Sequence, residues 1–214
     1  MQEERALPYR VLSEKGLFAW AEKEEKEMSK SVLISIRPEW CEKIASGEKT
    51  IEARKTYPKL ETPFKCYIYC TKTGLVSKST KNETLIPVES FGKVIGEFNC
   101  DLVCTILAHP NVFAGKPLYF QKAMDDACLT EKDVDEYSGG KDVFGLCISD
   151  LKIYDKPMPL SEFYKPGTLS NEDFLNELYD GSGDPMRSSY ASYLFARQIR
   201  RQPQSWCYVE ELNK

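Results

Sequence analysis

The stretch that begins at Gly47 and reads Gly-Glu-Lys-Thr-Ile-Glu-Ala-Arg constrains this chain more than any other. It follows a short helical segment and opens a β-strand. In an extended chain alternate residues share a face. Ile51 and Ala53 are therefore predicted to face a core, while Glu52 and Arg54 lie side by side on the opposite face.

Lys49 stands at the predicted start of this strand. Two cations, Lys49 and Arg54, would therefore lie around the carboxylate of Glu52. Such a pair can hold a phosphate or a polar heterocycle. The alternative interpretation is a half-exposed strand with an ordinary surface ion pair between Glu52 and Arg54, because charged faces are usually only solvated. The spacing is compatible with both.

Composition favours a globular protein without a membrane partner. The 214 residues suit one large domain, or one domain with an appendage, and 42% hydrophobic residues suffice for a core. The sequence contains no run of about 18 apolar residues, the length that a membrane-spanning helix needs. Its start has no apolar segment like that of a signal peptide. We expect a cytoplasmic protein.

The charge distribution favours a selective anionic ligand. The net charge of −4 disfavours general coating of nucleic acid. Residues 30–81 nevertheless hold eleven Lys or Arg and only five Asp or Glu, whereas residues 82–214 hold thirteen and twenty-one. The basic excess therefore surrounds the motif strand.

The eight cysteines are predicted to be core thiols, because most lie in apolar strand-like runs. Cys66/Cys70 and Cys100/Cys104 repeat a C-x-x-x-C spacing, but strand residues four apart are separated by about 13 Å, too far to share one metal. No metal or other cofactor is expected, although two facing strands leave a metal site open. The one histidine, His109, is predicted in a loop without a catalytic role.

The pattern along the chain predicts a mixture of strands and helices. Strands are predicted at 31–37, from the motif to about 56, and at 64–71, 143–154 and 205–212; residues 92–107 form a strand pair or one bent strand, with a bulge at Gly96. Helices are predicted from Pro38 to Gly47, from a capping box at Thr130 to about 137, and at 169–179 and 189–201. Residues 72–90 form a long loop, either functional or a plain surface excursion.

Two segments stand apart from this pattern. Residues 1–28 are an N-terminal extension, and either the natural start is Met28 or a real helix docks there through Phe18 and Trp20. Residues 155–204 form an insert with helices. Its Arg197, Arg200 and Arg201 could touch an anion or could complement a helix end. Trp206 could cover a site or belong to the core.

The chain resembles the ASCH domain family, whose fold is a PUA-like β-barrel. The resemblance rests on residues 33–38 (Leu-Ile-Ser-Ile-Arg-Pro) and on Gly47, Lys49, Glu52 and Arg54. Residues 92–98 and 148–154 fit later strands of the family, and residues 203–209 resemble a tail of bacterial and phage-associated members.

The resemblance implies an α+β fold: a mixed or antiparallel β-barrel with a short helix before the motif strand and peripheral helices, over residues 29–214. It also implies binding of RNA, a nucleotide or a modified nucleoside in a cleft between the first helix and the barrel. Ser35, Arg37, Lys49, Glu52 and Arg54 would line that cleft. From the residues themselves, Tyr69 on the strand 64–71 could stack a base, and Trp206 could cover it.

Some members of the family are hydrolases that cleave RNA or the acetyl amide of N4-acetylcytidine. The amide-cleaving branch uses a lysine, a threonine and a glutamate, and here Glu52 stands at the position of that threonine, with Thr50 nearby. If this chain is an enzyme, the resemblance implies a hydrolase of RNA or a modified nucleoside with Lys49 and Glu52 as catalytic pair.

Overall fold

The structure, a computed structural model, describes residues 30–72, 85–106, 118–166 and 197–212. The N-terminal extension, most of the predicted long loop, His109 and the predicted helix 169–179 lie outside the described residues. The strands are β1 (Lys30–Ile36), β2 (Ile51–Arg54), β3 (Phe64–Cys70), β4 (Lys93–Ile106), β5 (Val143–Met158) and β6 (Trp206–Glu210). The helices are α1 (Pro38–Ala45), α2 (Leu118–Asp126) and α3 (Glu131–Ser138), with 3-10 turns at Val88–Ser90 and Leu160–Glu162.

The six strands form one mixed sheet in the order β2-β5-β4-β3-β1-β6. β1 runs parallel to β3, and the other neighbouring pairs are antiparallel. The predicted α+β fold with a mixed sheet is confirmed. The sheet is not a closed barrel, however, because its order starts at β2 and ends at β6. Side chains bridge these edges instead: the Trp206 indole donates to the carbonyl of Thr56 over 3.1 Å.

The predicted short helix before the motif strand is confirmed as α1. Pro38 occupies its first turn, where a missing N–H costs nothing. Gly47 follows the helix with a φ of 79°, a left-handed conformation that glycine adopts without steric cost. The reversal there lets the chain turn directly from α1 into β2.

The predicted capping box is also confirmed. The Thr130 hydroxyl accepts from the backbone of Asp133 at 3.2 Å, and the Asp133 carboxylate accepts from the Thr130 backbone at 2.8 Å. α3 then ends at Gly139, again in the left-handed conformation.

Residues 93–106 form one bent strand rather than a strand pair. The pairing of β4 with β3 passes over Ile95, which is therefore an extra residue, and the predicted bulge lies next to Gly96. On the other side of β4 the extra residues belong to β5, between Ile153 and Met158. A Cβ on Gly96 would stand 2.5 Å from the Lys152 carbonyl oxygen. Glycine is therefore needed at position 96, where β4 pairs closely with β5.

Both faces of the sheet are buried. One core contains Val32, Ile34 and Ile36 of β1, packed against α1, and the opposite face carries Leu33 with Tyr67 and other apolar residues. A third cluster packs Ile51 of β2 against α2 and α3. β2 is thus covered on the side that the alternation predicts.

Two helix predictions need correction. No helix was predicted at α2, although the apolar residues there recur at helical spacing. The predicted helix 189–201 does not reach its C-terminal limit, because Gln198 instead forms a bridge with Tyr164. Ile199 is buried in the cluster of Phe163, and its backbone donates to the Phe163 carbonyl over 2.7 Å.

All eight cysteines are free. Cys41, Cys66, Cys70 and Cys100 are buried in the core, as predicted, and the other four are half-buried. None of the helices in the described part of the chain is long and apolar enough to cross a membrane.

We expect Gly145→Ala to lower the free energy of unfolding by about 1–3 kcal/mol, because it overpacks the core. An added Cβ would lie 2.6 Å from Cγ2 of Ile51 and 2.7 Å from Sγ of Cys104. Urea unfolding measures the change. Lys152→Ala, at an exposed position of the same strand, is the control and should change stability by less than about 0.5 kcal/mol. Equal stability of the two variants would contradict this packing.

Candidate functional site

The chain between α1 and β2 holds Lys49 against the end of α2. The backbone of Lys49 donates to the Lys43 carbonyl over 2.9 Å, and that of Thr50 donates to the Asp126 carbonyl over 2.8 Å. The next residue along, Ala127, presents its carbonyl to the lysine side chain. The consecutive elements α1 and β2 therefore meet the distant helix α2 at this point.

Lys49, Glu52 and Arg54 form a connected ion cluster. Nζ of Lys49 donates to the Ala127 carbonyl over 2.6 Å and lies 3.5 Å from Oε2 of Glu52. Oε1 of Glu52 lies 2.9 Å from Nη2 of Arg54. The same Nη2 donates to the Ser35 carbonyl over 2.6 Å. One carboxylate thus joins the end of α2 to β1 through two cations.

The cluster is buried, so the alternative of a surface ion pair is wrong. The side chains of Lys49, Glu52 and Arg54 are only 3%, 6% and 12% exposed. They lie close to the core thiol of Cys66, whose pKa is raised by burial and then shifted in opposite directions by Arg54 and Glu52. Both faces of β2 are therefore covered, one by apolar residues and the other by charges.

The cluster carries one excess positive charge in a poorly hydrated place. Burying a charge is costly unless other groups stabilise it. Here the carbonyls of Ala127 and Ser35 accept from the cations, and the Trp40 ring centroid lies 5.0 Å from Nζ of Lys49. Burial still lowers the pKa of Lys49, against the opposing pull of Glu52.

Two polar atoms of the cluster have no hydrogen-bond partner among the described residues: Oε2 of Glu52 and Nε of Arg54. One is an acceptor and the other a donor. A buried group without a hydrogen bond costs about 1–3 kcal/mol. Each of these two buried atoms therefore has hydrogen-bonding capacity that the described residues leave unused.

Two further predicted cleft residues have different roles. The Ser35 hydroxyl donates to the Pro203 carbonyl over 2.7 Å, while its own carbonyl accepts from Arg54. The Arg37 side chain is 70% exposed and lies 3.8 Å from the Glu39 carboxylate. Ser35 is thus a structural contact of the cluster, and Arg37 offers its charge to the solvent.

The structure places Tyr69 away from the cluster. Tyr69 is buried on the opposite face of β3, in the cluster that contains Phe163 and Val209. Trp206 is half-buried and packs partly on the core while its indole binds Thr56, just beyond β2. Trp206 therefore lies beside the end of the motif strand, whereas Tyr69 does not.

Other candidates lie elsewhere. Thr50 is exposed, unlike the buried Lys49 and Glu52. Nε of Arg197 donates to the Lys165 carbonyl over 2.9 Å, and its guanidinium pairs with Glu210. Within the described residues, no three His, Cys, Asp or Glu side chains converge as a metal site would require.

Sequence reasoning missed two of the groups that contact Lys49. Neither the Trp40 ring nor the Ala127 carbonyl is among the predicted site residues. Helical spacing in residues 118–127 could have indicated α2, but no sequence pattern reveals that its end meets Lys49.

A surface cleft of about 460 Å³ also exists, lined by Lys30, Phe64, Lys65, Asn99 and other residues at the far end of β1.

We expect Glu52→Gln to lower the free energy of unfolding by about 3–5 kcal/mol, because it leaves two buried cations without their carboxylate. Chemical unfolding measures the loss. Glu39→Gln is the matched control, since that glutamate makes only an exposed pair with Arg37, and it should cost less than about 1 kcal/mol. Similar losses in both variants would mean that Glu52 is solvated.

The lowered pKa of Lys49 predicts a pH dependence. Between this pKa and the ordinary value of 10.5, the unfolded chain holds a proton that the folded chain has released. Stability from this residue therefore rises with pH in that interval. The free energy of unfolding of the wild type, minus that of Lys49→Met, should increase from pH 7 toward pH 10.5. A constant or falling difference would contradict a buried ammonium.

Comparison with known proteins finds a resemblance in solved structures. No protein-family model matches the sequence, and no curated protein matches it. The crystal structure of ASCH from Zymomonas mobilis is similar to this chain, with 17% identity, coverage of 83% of this chain and 86% of that one, and a TM-score of 0.47. Two point mutants of that protein cover 80% and 78% of this chain and 100% and 96% of theirs, with 18% and 16% identity and TM-scores of 0.44 and 0.43. These structures carry the name of the family that the motif strand resembles.

Proposed function

We propose that this protein binds RNA or a nucleotide, and that the ligand binds at the cluster of Lys49, Glu52 and Arg54. The observation that carries the proposal is the buried excess of positive charge together with two atoms that lack a hydrogen-bond partner among the described residues, Oε2 of Glu52, which makes only the ion pair with Lys49, and Nε of Arg54. A phosphate would offset the charge, and a base edge would supply a donor and an acceptor.

The surroundings of the cluster support this choice. Arg54 is the most exposed of its three side chains, so a ligand would approach from the guanidinium side. The Trp40 ring is half-buried, and Nζ of Lys43 lies 5.3 Å from its centroid, so an aromatic face and a further cation border the cluster. Aromatic rings beside cations suit the recognition of unpaired bases.

We place this function in the cytoplasm. The support is that all eight cysteines are free thiols, which persist in a reducing compartment. Burial raises the pKa of Cys100 to about 12 and that of Cys147 to about 11, so these two thiols are protonated and poorly nucleophilic at neutral pH.

Thermal unfolding in the presence of nucleosides, nucleoside monophosphates and short RNAs tests the proposal. A ligand at a hundred times its dissociation constant stabilises the protein by about 2.7 kcal/mol. For a chain of this size that corresponds to a rise in Tm of roughly 5–10 °C. We expect such a shift with at least one phosphate-bearing ligand.

The variants decide where the ligand binds. Lys49→Met keeps the length of the side chain but removes the charge, and it should abolish the shift. Lys122→Gln removes a charge from an exposed ion pair on α2 and should preserve it. A shift that survives in Lys49→Met would move the ligand away from the cluster, and no shift with any nucleotide or RNA would overturn the proposed function.

A further inference from the structure

The segment that follows Arg54 joins lysines to aromatic rings. Lys55 and Lys59 are exposed, and Tyr57 between them is half-buried. Together with Trp206 and Tyr208 of β6, these residues form what we call the aromatic–lysine strip. It begins immediately after the ion cluster, at the point where β2 leaves the sheet.

Hydrogen bonds fix this segment on β6. The backbone of Lys59 donates to the Tyr208 hydroxyl over 2.8 Å, and the Trp206 indole donates to the Thr56 carbonyl over 3.1 Å. The rings of Trp206 and Tyr208 meet edge to face with centroids 5.3 Å apart. Residues 55–59 are therefore attached at two points, which keeps their side chains in place.

Each lysine of the strip lies over an aromatic ring. Nζ of Lys59 is 3.8 Å from the centroid of Tyr57, and Nζ of Lys55 is 4.9 Å from that of Tyr137. The Tyr57 ring also contacts Phe144, with centroids 4.6 Å apart. One face of Tyr57 thus holds an exposed ammonium, which a base could replace.

That replacement is favourable on general grounds. A base stacked on an aromatic ring contributes more than a cation at an exposed ring. The displaced ammonium would then be free to pair with the phosphate of the same nucleotide. Tyr57 and Lys59 can therefore hold one nucleotide between them, through its base and its phosphate.

The charges along the strip favour a polyanion. From Arg54 to Leu60 there are three cations and no carboxylate. α3, which carries Tyr137, is acidic, with Glu131, Asp133, Asp135 and Glu136 against Lys132. A polyanion would therefore avoid α3 and follow the strip toward β6.

We infer that the aromatic–lysine strip binds a single strand of nucleic acid that continues from the nucleotide at the ion cluster. The inference rests on the proposed function, since the strip begins where that nucleotide would lie. A single strand is required because its bases are unpaired and can stack on Tyr57, whereas those of a duplex are occupied by their neighbours. The preferred ligand is then an oligonucleotide rather than a mononucleotide.

Fluorescence anisotropy with labelled 12-nucleotide uridine RNA and deoxyuridine DNA tests the inference. Tyr57→Leu keeps an apolar side chain against Phe144 but removes the ring, and it should weaken strand binding roughly 5-fold to 100-fold. Tyr57→Phe keeps the ring and should bind within about twofold of the wild type. The tighter of the two strands shows whether the 2′-hydroxyl contributes.

Salt dependence tests the lysines separately. Removing two phosphate contacts from a single strand should reduce the slope of log K against log salt by about 1.4. We expect this for the double variant Lys55→Gln/Lys59→Gln. The control Lys152→Gln/Lys156→Gln removes two exposed charges from the far part of β5 and should leave the slope unchanged.

The outcomes separate this inference from the proposed function. Suppose that Tyr57→Leu binds strands as tightly as the wild type, while Lys49→Met no longer binds mononucleotides. The strip then does not bind the strand, and the proposed function stands. If strands bind through Tyr57 and bind equally well to the wild type and to Lys49→Met, the strip stands and the proposed site at the ion cluster is wrong. Absence of binding to strands and mononucleotides alike would overturn both.

Discussion

The Glu52 carboxylate is the interaction on which the arrangement around β2 depends. It lies between Lys49 and Arg54, and these cations bind the carbonyls of Ala127 and Ser35. β2 has only four residues and is paired on one side with β5, so backbone hydrogen bonds alone attach it weakly. The ion cluster adds contacts to β1 and to the end of α2, which joins the first edge of the sheet to its opposite half. The same carboxylate therefore joins the first edge strand to the rest of the fold and forms part of the binding site that we propose.

Local features of the fold were predictable, because each depends on a few neighbouring residues. Pro38 and Gly47 delimit α1, Thr130 and Asp133 start α3, and alternation marks the strands. Closure and long-range contacts were not predictable in the same way. β2 and β6 are the two edge strands of the sheet. The hydrogen bond that links these edges joins Trp206 to Thr56, and the two residues lie 150 positions apart in the sequence. α2 depends on local sequence as well, because the apolar residues of 118–127 recur at helical spacing.

The candidate site shows the same division. Charge and spacing identified Lys49, Glu52 and Arg54, but not that they are buried, because alternation predicts faces and not what covers them. Tyr69 was chosen for its chemistry, yet its face of β3 packs into a separate cluster. Trp206 lies beside the end of the motif strand because β6 pairs with β1 in the register that sets Trp206 opposite Ile34. Only tertiary pairing distinguishes these two aromatic residues.

The length of β5 has a consequence for association between molecules. β5 has 16 residues, but β2 pairs with it only from Phe144 to Cys147. Beyond Ile148, which donates to the Thr50 carbonyl, the described strands leave this edge of β5 without a strand partner, and such an edge can recruit strands from other chains and promote aggregation. Exposed charges at Lys152 and Lys156 and the ring of Pro157 occupy that edge. Such residues oppose the addition of a foreign strand, so this long strand can remain half-paired at high protein concentration without nucleating intermolecular sheets.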